Sequence, residues 1–229
     1  MRKRIKYQNM SQDIKDIAKI FETLVYRGYD SKRLFNDWLD LIIFAFQRDD
    51  EHYLEIVNRY NNTHKLGNRD IDLFVDMFTL LVIKMEEKQY YDFLGEMYES
   101  CVSFGEHGQF FTPMCICEMM AQITGSSLGK VSDPCSGAGR MALAHAKYFP
   151  NTTYVNQDID IVCVKMCVLN MLLNGIESIN IWGNTLLVEQ NRTWITTFRT
   201  GFPEIKCIEN YVKVHEPIVK KKIKITDFI

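Results

Sequence analysis

The sequence predicts an α/β protein with an α-helical N-terminal domain over residues 1–104 and a shortened Rossmann-like domain over residues 105–229. Three observations lead to this fold class. The first hundred residues show helical periodicity without strand-like alternation. From about Phe104-Gly105 onwards, glycines become frequent and short apolar runs alternate with helical patterns. In that second part, the glycine-rich turn Asp133-Pro-Cys-Ser-Gly-Ala-Gly139 lies between an apolar run and a helical pattern, as expected where a parallel sheet binds a nucleotide.

The N-terminal part is predicted to contain helices only. Apolar residues recur at helical spacing in five segments, near residues 13–26, 31–45, 50–60, 70–87 and 90–103. Gly28 ends the first helix, and Asp30 and Ser31 are candidate caps of the second. The aromatic residues in these helices are more typical of a bundle core than of a base-stacking surface.

The C-terminal part alternates predicted strands and helices. Strands are predicted at Leu128–Ser132, Thr153–Asn156 and Ile179–Trp182, and helices at Pro113–Thr124, Arg140–Phe149 and Ile161–Asn174. Right-handed crossovers then give a parallel sheet. Ile205–Ile208 is a candidate fourth strand. The lysine-rich tail from Lys213 to Lys224 fits an edge strand better than a phosphate-contacting strip.

Composition excludes several classes of protein. The formal net charge is −2, so a DNA-binding role needs a local basic surface or a partner subunit. The seven cysteines are scattered without a Cys-x-x-Cys pair, and the five histidines show no ligand-like spacing, so we expect reduced thiols and no metal site. The sequence contains neither a signal peptide nor a membrane-spanning segment, and a cytoplasmic protein is expected.

The glycine-rich turn and the carboxylates around it predict a nucleotide-like cofactor. Gly137-Ala-Gly139-Arg-Met-Ala142 fits the loose pattern of dinucleotide folds, and Asp158 follows at the end of the next predicted strand, where it can hold two ribose hydroxyls. A tight structural turn and a surface aspartate are the alternative interpretation. Asp133 would repel a pyrophosphate but suits an ammonium group and a sulfonium cation. This favours S-adenosylmethionine over the cofactor of a dinucleotide-binding oxidoreductase.

The region from Tyr91 to Leu187 resembles the adenine-specific N-6 DNA methylase family, in particular the modification subunits of type I restriction systems. The segments that agree in order and spacing are Leu94-Gly-Glu-Met-Tyr-Glu99, Gly108-Gln-Phe-Phe-Thr-Pro113, Asp133-Pro-Cys-Ser-Gly-Ala-Gly139, Asn156-Gln-Asp158, Asn170-Met-Leu-Leu-Asn-Gly-Ile176 and Gly183-Asn-Thr-Leu186. The resemblance implies an S-adenosylmethionine-dependent methyltransferase domain that acts on DNA, together with a specificity or other partner subunit.

The resemblance also implies cofactor-binding residues. Asp133 would hold the ammonium group, Asp158 the ribose, and Ile159 one face of the adenine. Asn184 stands where an aspartate is usual and would contact the adenine edge. The remaining expected cofactor-binding residues are Gln109, Phe110, Thr112, Pro113, Pro134, Ser136, Gly137, Gly139 and Leu186.

The catalytic segment of that family, Asn/Asp-Pro-Pro-Tyr/Phe, has no counterpart here, since the chain contains no Pro-Pro pair. The nearest candidate is Ile208-Glu-Asn-Tyr211, which makes Asn210 and Tyr211 the candidate catalytic residues. Two functions therefore stay open: a DNA adenine N6-methyltransferase from a restriction-modification, phage or other mobile-element system, and a non-catalytic cofactor-binding module that works through a partner.

Overall fold

The computed structural model describes residues 10–103, 111–125, 129–198 and 201–213, with side chains described as far as residue 209. The N-terminal part is helical. The helices are α1 (Gln12–Tyr26), α2 (Ser31–Gln47), α3 (Asp50–Val57), α4 (Asp70–Glu87) and α5 (Phe93–Tyr98), and a π-helix (Glu99–Ser103) continues α5. Aspartate caps begin three of them: the side chains of Asp30, Asp49 and Asp92 each accept a hydrogen bond from a backbone N–H of the first turn.

The second part alternates strands and helices as predicted. Its elements are α6 (Met114–Thr124), β1 (Lys130–Asp133), α7 (Arg140–Tyr148), β2 (Thr153–Asp158), α8 (Ile161–Leu173), β3 (Ser178–Trp182), β4 (Glu189–Thr197) and β5 (Glu204–Lys213). Strands β1, β2 and β3 are parallel neighbours in that order. The predicted α/β fold class, with helices preceding the sheet, is confirmed.

The sheet is mixed rather than wholly parallel. Strand β4 was not predicted, and it pairs antiparallel with β3, followed by β5 antiparallel to β4. The reason is the connection between Trp182 and Glu189, which is far too short for the helical crossover that a parallel neighbour requires. The candidate strand Ile205–Ile208 therefore lies in β5 and forms the edge of the sheet within the described residues. Lys213 ends that strand, and the rest of the lysine-rich tail lies outside the described residues.

Helix α8 lies between the sheet and the helical layer. Ten consecutive residues, from Cys163 to Leu172, are buried. The main hydrophobic cluster joins side chains of α1 to α5 with side chains of α8, with Trp194 of β4 and with Ile205 of β5. The two-domain division at residues 104 and 105 stays a prediction, and the core is continuous across it.

One buried ion pair crosses from the helical layer to α8. Lys165 Nζ donates to Asn36 Oδ1 and to Asp40 Oδ2, both at 2.8 Å. Burial raises the pKa of Asp40, against the effect of the lysine. Over the residues described, no helix is both long and apolar enough to cross a lipid bilayer.

Candidate cofactor site

The glycine-rich turn joins the end of β1 to the start of α7 and depends on its glycines. Gly137 and Gly139 have φ angles of 53° and 86°, in the left-handed region. A Cβ at Gly137 would lie 3.0 Å from the Phe111 ring, and one at Gly139 would lie 2.8 Å from Cys167 Sγ on α8. The turn therefore needs glycine both for its backbone conformation and for its close approach to two neighbours.

A cleft of about 320 Å³ opens beside this turn, at the carboxyl ends of β1 and β2. Six of the predicted cofactor-binding residues line it: Thr112, Asp133, Ser136, Gly137, Asp158 and Ile159. Its other lining residues are Phe111, Cys135, Ala138, Arg140, Met141, Asp160 and Cys163. The volume and the position at the strand ends suit a small ligand.

Asp133 gives the cleft a preference for a cation. One oxygen of its carboxylate accepts a hydrogen bond from Cys135 N at 3.1 Å. Burial raises the pKa of Asp133 against the effect of the Cys135 hydrogen bond, and repulsion from Asp158 raises it further. A cationic group beside Asp133 would relieve this repulsion, so the donor set fits an ammonium or a sulfonium.

Asp158 fixes the turn and keeps spare acceptor capacity. Its Oδ2 accepts from Gly137 N at 2.8 Å, and its Oδ1 accepts from Asp160 N at 2.9 Å. A carboxylate has about four acceptor positions, so those two bonds leave room for two hydroxyl donors. Next to it, Ile159 has 67% of its surface exposed while its carbonyl accepts from Trp182 Nε1. An exposed isoleucine on a fixed backbone can pack against a flat base.

Phe111 and Arg140 belong to the cleft and were not predicted. The Phe111 ring covers Gly137, and the Arg140 guanidinium carbon lies 5.0 Å from the centre of that ring. Arg140 also donates to the Thr112 carbonyl at 3.4 Å. The sequence signal for Phe111 is its place in Gly108–Pro113, the segment that supplied its neighbours. For Arg140 the only signal is its place as the first residue of α7.

Of the other predicted residues, those that the structure describes do not line the cleft. Ser136, which does, directs its N–H and hydroxyl to the Gln157 carbonyl, so its role includes holding the turn on β2. Pro113 is the N-cap of α6, and the Pro134 carbonyl accepts from Thr185 Oγ1 at 2.7 Å. Gly139 lies behind the turn against α8. Gln109 and Phe110 lie outside the described residues.

Asn184 and Leu186 form a turn between β3 and β4. Asn184 Oδ1 accepts from Leu186 N and Leu187 N, at 3.0 and 3.3 Å, so its carbonyl is used to close the turn. Leu186 is 92% exposed at the tip. In this conformation neither residue faces the cleft, and contact with a bound adenine would need the turn to move.

The candidate catalytic residues are remote from the cleft. Asn210 and Tyr211 lie in β5, and three strands separate β5 from β1. Among the described residues, no group of His, Cys, Asp or Glu has the arrangement of a metal site. The seven cysteines, all in described parts of the chain, are free thiols, and burial raises the pKa of Cys163 and Cys167.

Comparison with known proteins shows which family this region resembles. Residues 89–200 match the family model described as N-6 DNA Methylase. This segment is similar to N-6 DNA methylases. The predicted resemblance is confirmed for it, and we call residues 89–200 the methylase segment. The segment covers just under half of the chain and begins at the loop before α5, so it includes the last turns of the helical layer.

A search of curated protein sequences gave no match. Among solved structures, the chain is similar to a type I restriction-modification system methyltransferase subunit from Streptococcus thermophilus, with 17% sequence identity and a TM-score of 0.35. The alignment covers 73% of this chain and 38% of that subunit, so this chain spans well under half of the subunit's length.

Proposed function

We propose that the cleft binds S-adenosylmethionine and that the chain is a DNA adenine N6-methyltransferase-like protein of a restriction-modification, phage or other mobile-element system. The observation that carries the proposal is the pair of carboxylates, Asp133 and Asp158, at the tips of neighbouring parallel strands beside a glycine turn. The match of the methylase segment supports the same class.

Different residues of the cleft bind different parts of the cofactor. Asp133 binds the ammonium group and lies near the sulfonium, where its charge is favourable. Asp158 accepts from the ribose hydroxyls with its two spare positions, and Ile159 packs against the adenine. The Phe111–Thr112 segment covers the methionine part. The bound cofactor supplies an electrophilic methyl group, and the protein contributes position and electrostatics.

DNA is the proposed substrate, and a partner subunit is part of the proposal. Among the described residues, the carboxylates of Asp133, Asp158, Asp160 and Glu189 lie at this end of the sheet, and they offer a phosphate backbone no attraction. A specificity subunit, or another partner that works in the same cytoplasmic complex, would supply the basic surface.

A second function is favoured by a separate observation. Asn210 and Tyr211, the candidate catalytic residues, lie at the far edge of the sheet from β1. A cofactor-binding module that serves a partner without transferring the methyl group itself fits this placement.

Calorimetric titration tests the cofactor. We expect wild type to bind S-adenosylmethionine and its analogue sinefungin, which carries an ammonium in place of the sulfonium. Asp133→Asn should weaken binding about tenfold to a hundredfold, as loss of a charged hydrogen bond does. The matched control is Asp16→Asn, an exposed carboxylate of α1 that should leave binding unchanged. Wild type that binds neither compound, or that binds NAD more tightly, would refute the proposal.

Labelled cofactor separates the two functions. We expect incubation with DNA, with and without the products of neighbouring genes, to show methyl transfer only when a partner is present. Methyl transfer by the chain alone would favour the autonomous enzyme. No transfer under any condition, with cofactor binding intact, would favour the non-catalytic module.

A further inference from the structure

A second ion-pair cluster joins the helical layer to the cleft. It consists of Asp92, Glu99 and Arg140, with Asn170 behind it. Asp92 has 1% of its surface exposed and accepts from Arg140 Nε at 2.6 Å. Arg140 NH2 donates to Glu99 Oε2 at 2.8 Å. One guanidinium therefore bridges two carboxylates, from the start of α5 and from the start of the π-helix.

The same cluster holds two residues that line the cleft, Phe111 and Thr112, which we call its cover. Glu99 Oε1 accepts from Phe111 N at 2.9 Å, while Arg140 NH1 donates to the Thr112 carbonyl. The Phe111 ring then packs over Gly137 and beside Arg140. Groups of the cluster thus bind the backbone of both cover residues, and Cys117 Sγ of α6 also donates to the Thr112 carbonyl, at 3.7 Å.

Behind the turn, the cluster also holds the cofactor loop. Asn170 Nδ2 donates to Asp92 Oδ1 at 2.7 Å and to the Ala138 carbonyl at 2.9 Å. Asp92 fits only because residue 95 is glycine, since a Cβ there would lie 1.9 Å from Asp92 Oδ2. Glu99 begins a π-helix, an element that is rare and is often found at functional sites.

We propose that Arg140 is a positioning residue, which uses Asp92 and Glu99 to hold the Phe111–Thr112 cover and the glycine turn in the geometry that binds the cofactor. Only the forked guanidinium group of an arginine can make these contacts, because a single ammonium cannot reach both carboxylates and the Thr112 carbonyl together. The inference rests on the proposed cofactor for its affinity readout only.

Arg140→Lys is the decisive variant. Lysine keeps a positive charge beside the buried Asp92, so the variant should fold, but it loses the bridge to Glu99 and Thr112. We expect it to bind S-adenosylmethionine at least tenfold more weakly than wild type. Glu99→Ala should weaken binding to the same degree. The double variant should be no more than about twofold weaker than either single one, because both remove one shared network.

Lys165→Met is the matched control. It removes the buried ion pair between the helical layer and α8, whose members Lys165, Asn36 and Asp40 are not among the partners of the cover. Its stability should fall while its affinity for the cofactor stays within about twofold of wild type.

Amide exchange provides a readout that needs no cofactor. In the ligand-free protein, exchange of the Phe111 amide should be at least tenfold faster in Arg140→Lys and Glu99→Ala than in wild type. In Lys165→Met it should change no more than amides elsewhere. Folded Arg140→Lys with wild-type affinity and wild-type Phe111 exchange would overturn the inference. Wild type that fails to bind would refute the cofactor proposal alone, and the exchange data would still decide the role of Arg140.

Discussion

At the scale of single residues, two glycines with similar backbones should respond differently to alanine. Gly139 and Gly175 have φ angles of 86° and 71°. Around Gly175 a new Cβ would meet nothing within 4 Å, whereas at Gly139 it would meet Cys167 Sγ at 2.8 Å and Met171 Cε at 3.2 Å. The two sites therefore separate backbone strain from steric overlap.

We expect Gly175→Ala to lower the free energy of unfolding by about 1 kcal/mol, the cost of left-handed backbone for a residue with a Cβ. Gly139→Ala should lower it by about 3 kcal/mol, because overpacking against α8 adds about 1–3 kcal/mol. Urea denaturation measures both. Equal losses would show that α8 moves aside at no cost and that the close approach at Gly139 is unimportant.

The charge of Asp133 should make cofactor binding depend on pH. Burial raises the pKa of Asp133 in the free protein, and a bound ammonium would lower it. Affinity for S-adenosylmethionine should therefore rise with pH between the lowered pKa of the complex and the raised pKa of the free protein. The slope is at most about tenfold per pH unit, and affinity levels off above the higher pKa.

Titration calorimetry at a series of pH values checks this dependence. In Asp133→Asn, the rise over the same window should disappear, and affinity should stay at the weaker level throughout. A rise of equal size in that variant would assign the dependence to another group.

The carboxylates of the cleft can be predicted from the sequence, whereas the contacts that hold its cover cannot. Asp133 and Asp158 are the last residues of β1 and β2, and local sequence patterns predict both strands. Arg140 donates to Asp92 and Glu99, which lie 48 and 41 positions earlier in the chain. Such pairs depend on how the helices pack against the sheet, which no local pattern contains.

At the scale of elements, β4 shows why the sheet was predicted only in part. Its first residues, Glu189 to Arg192, are polar and either exposed or half-buried. Only the end near Trp194 alternates against α8. A strand that is buried along half of its length lacks the pattern by which β2 and β3 were recognised.

The inner face of the sheet carries a buried polar group that should stabilise it. Asn180 of β3 accepts from Asn156 Nδ2 and Cys167 Sγ and donates to Ser178 Oγ, at 2.9, 3.3 and 2.8 Å. Asn180→Ala would remove the acceptor that Asn156 Nδ2 and Cys167 Sγ share beneath α8, while Ser178 Oγ keeps its hydrogen bond with Thr196 Oγ1. Since each unpaired buried group costs about 1–3 kcal/mol, we expect a loss of about 3 kcal/mol.

Urea denaturation measures the loss, with Asn191→Ala as the control on the neighbouring strand. Asn191 is exposed, and its replacement should change stability by less than about 0.5 kcal/mol. A loss below about 1 kcal/mol for Asn180→Ala would mean that water or a rearranged side chain accepts the hydrogen bonds of Asn156 Nδ2 and Cys167 Sγ in place of Asn180.

At the scale of the whole molecule, the boundary seen in the sequence and the boundary of the core differ. Glycine content and periodicity change near residue 104. The main hydrophobic cluster nevertheless runs from α1 through α8 to Ile205 of β5. The methylase segment likewise begins at residue 89, ahead of that change. A change in glycine content and periodicity shows which kind of secondary structure follows in the chain. The extent of the hydrophobic core depends instead on which faces of the helices and strands are apolar.

Because α8 belongs to the core on both sides of residue 104, we can predict how a fragment without the helical layer behaves. Its ten consecutive buried residues face the sheet on one side and the helical layer on the other. A fragment of residues 105–229 would expose the second side to water, and it would leave Lys165 without Asp40 and Asn36. We therefore expect this fragment to be aggregated or loosely packed, with weak near-ultraviolet circular dichroism and no cooperative unfolding.

Co-expression with residues 1–104 should restore a soluble, cooperatively unfolding complex, because the missing face of the core is then supplied in trans. The control is the full chain under the same conditions. If residues 105–229 unfold cooperatively when expressed alone, the predicted boundary also marks an independent folding unit. In that case the apolar outer face of α8 serves to attach the helical layer rather than to build the fold.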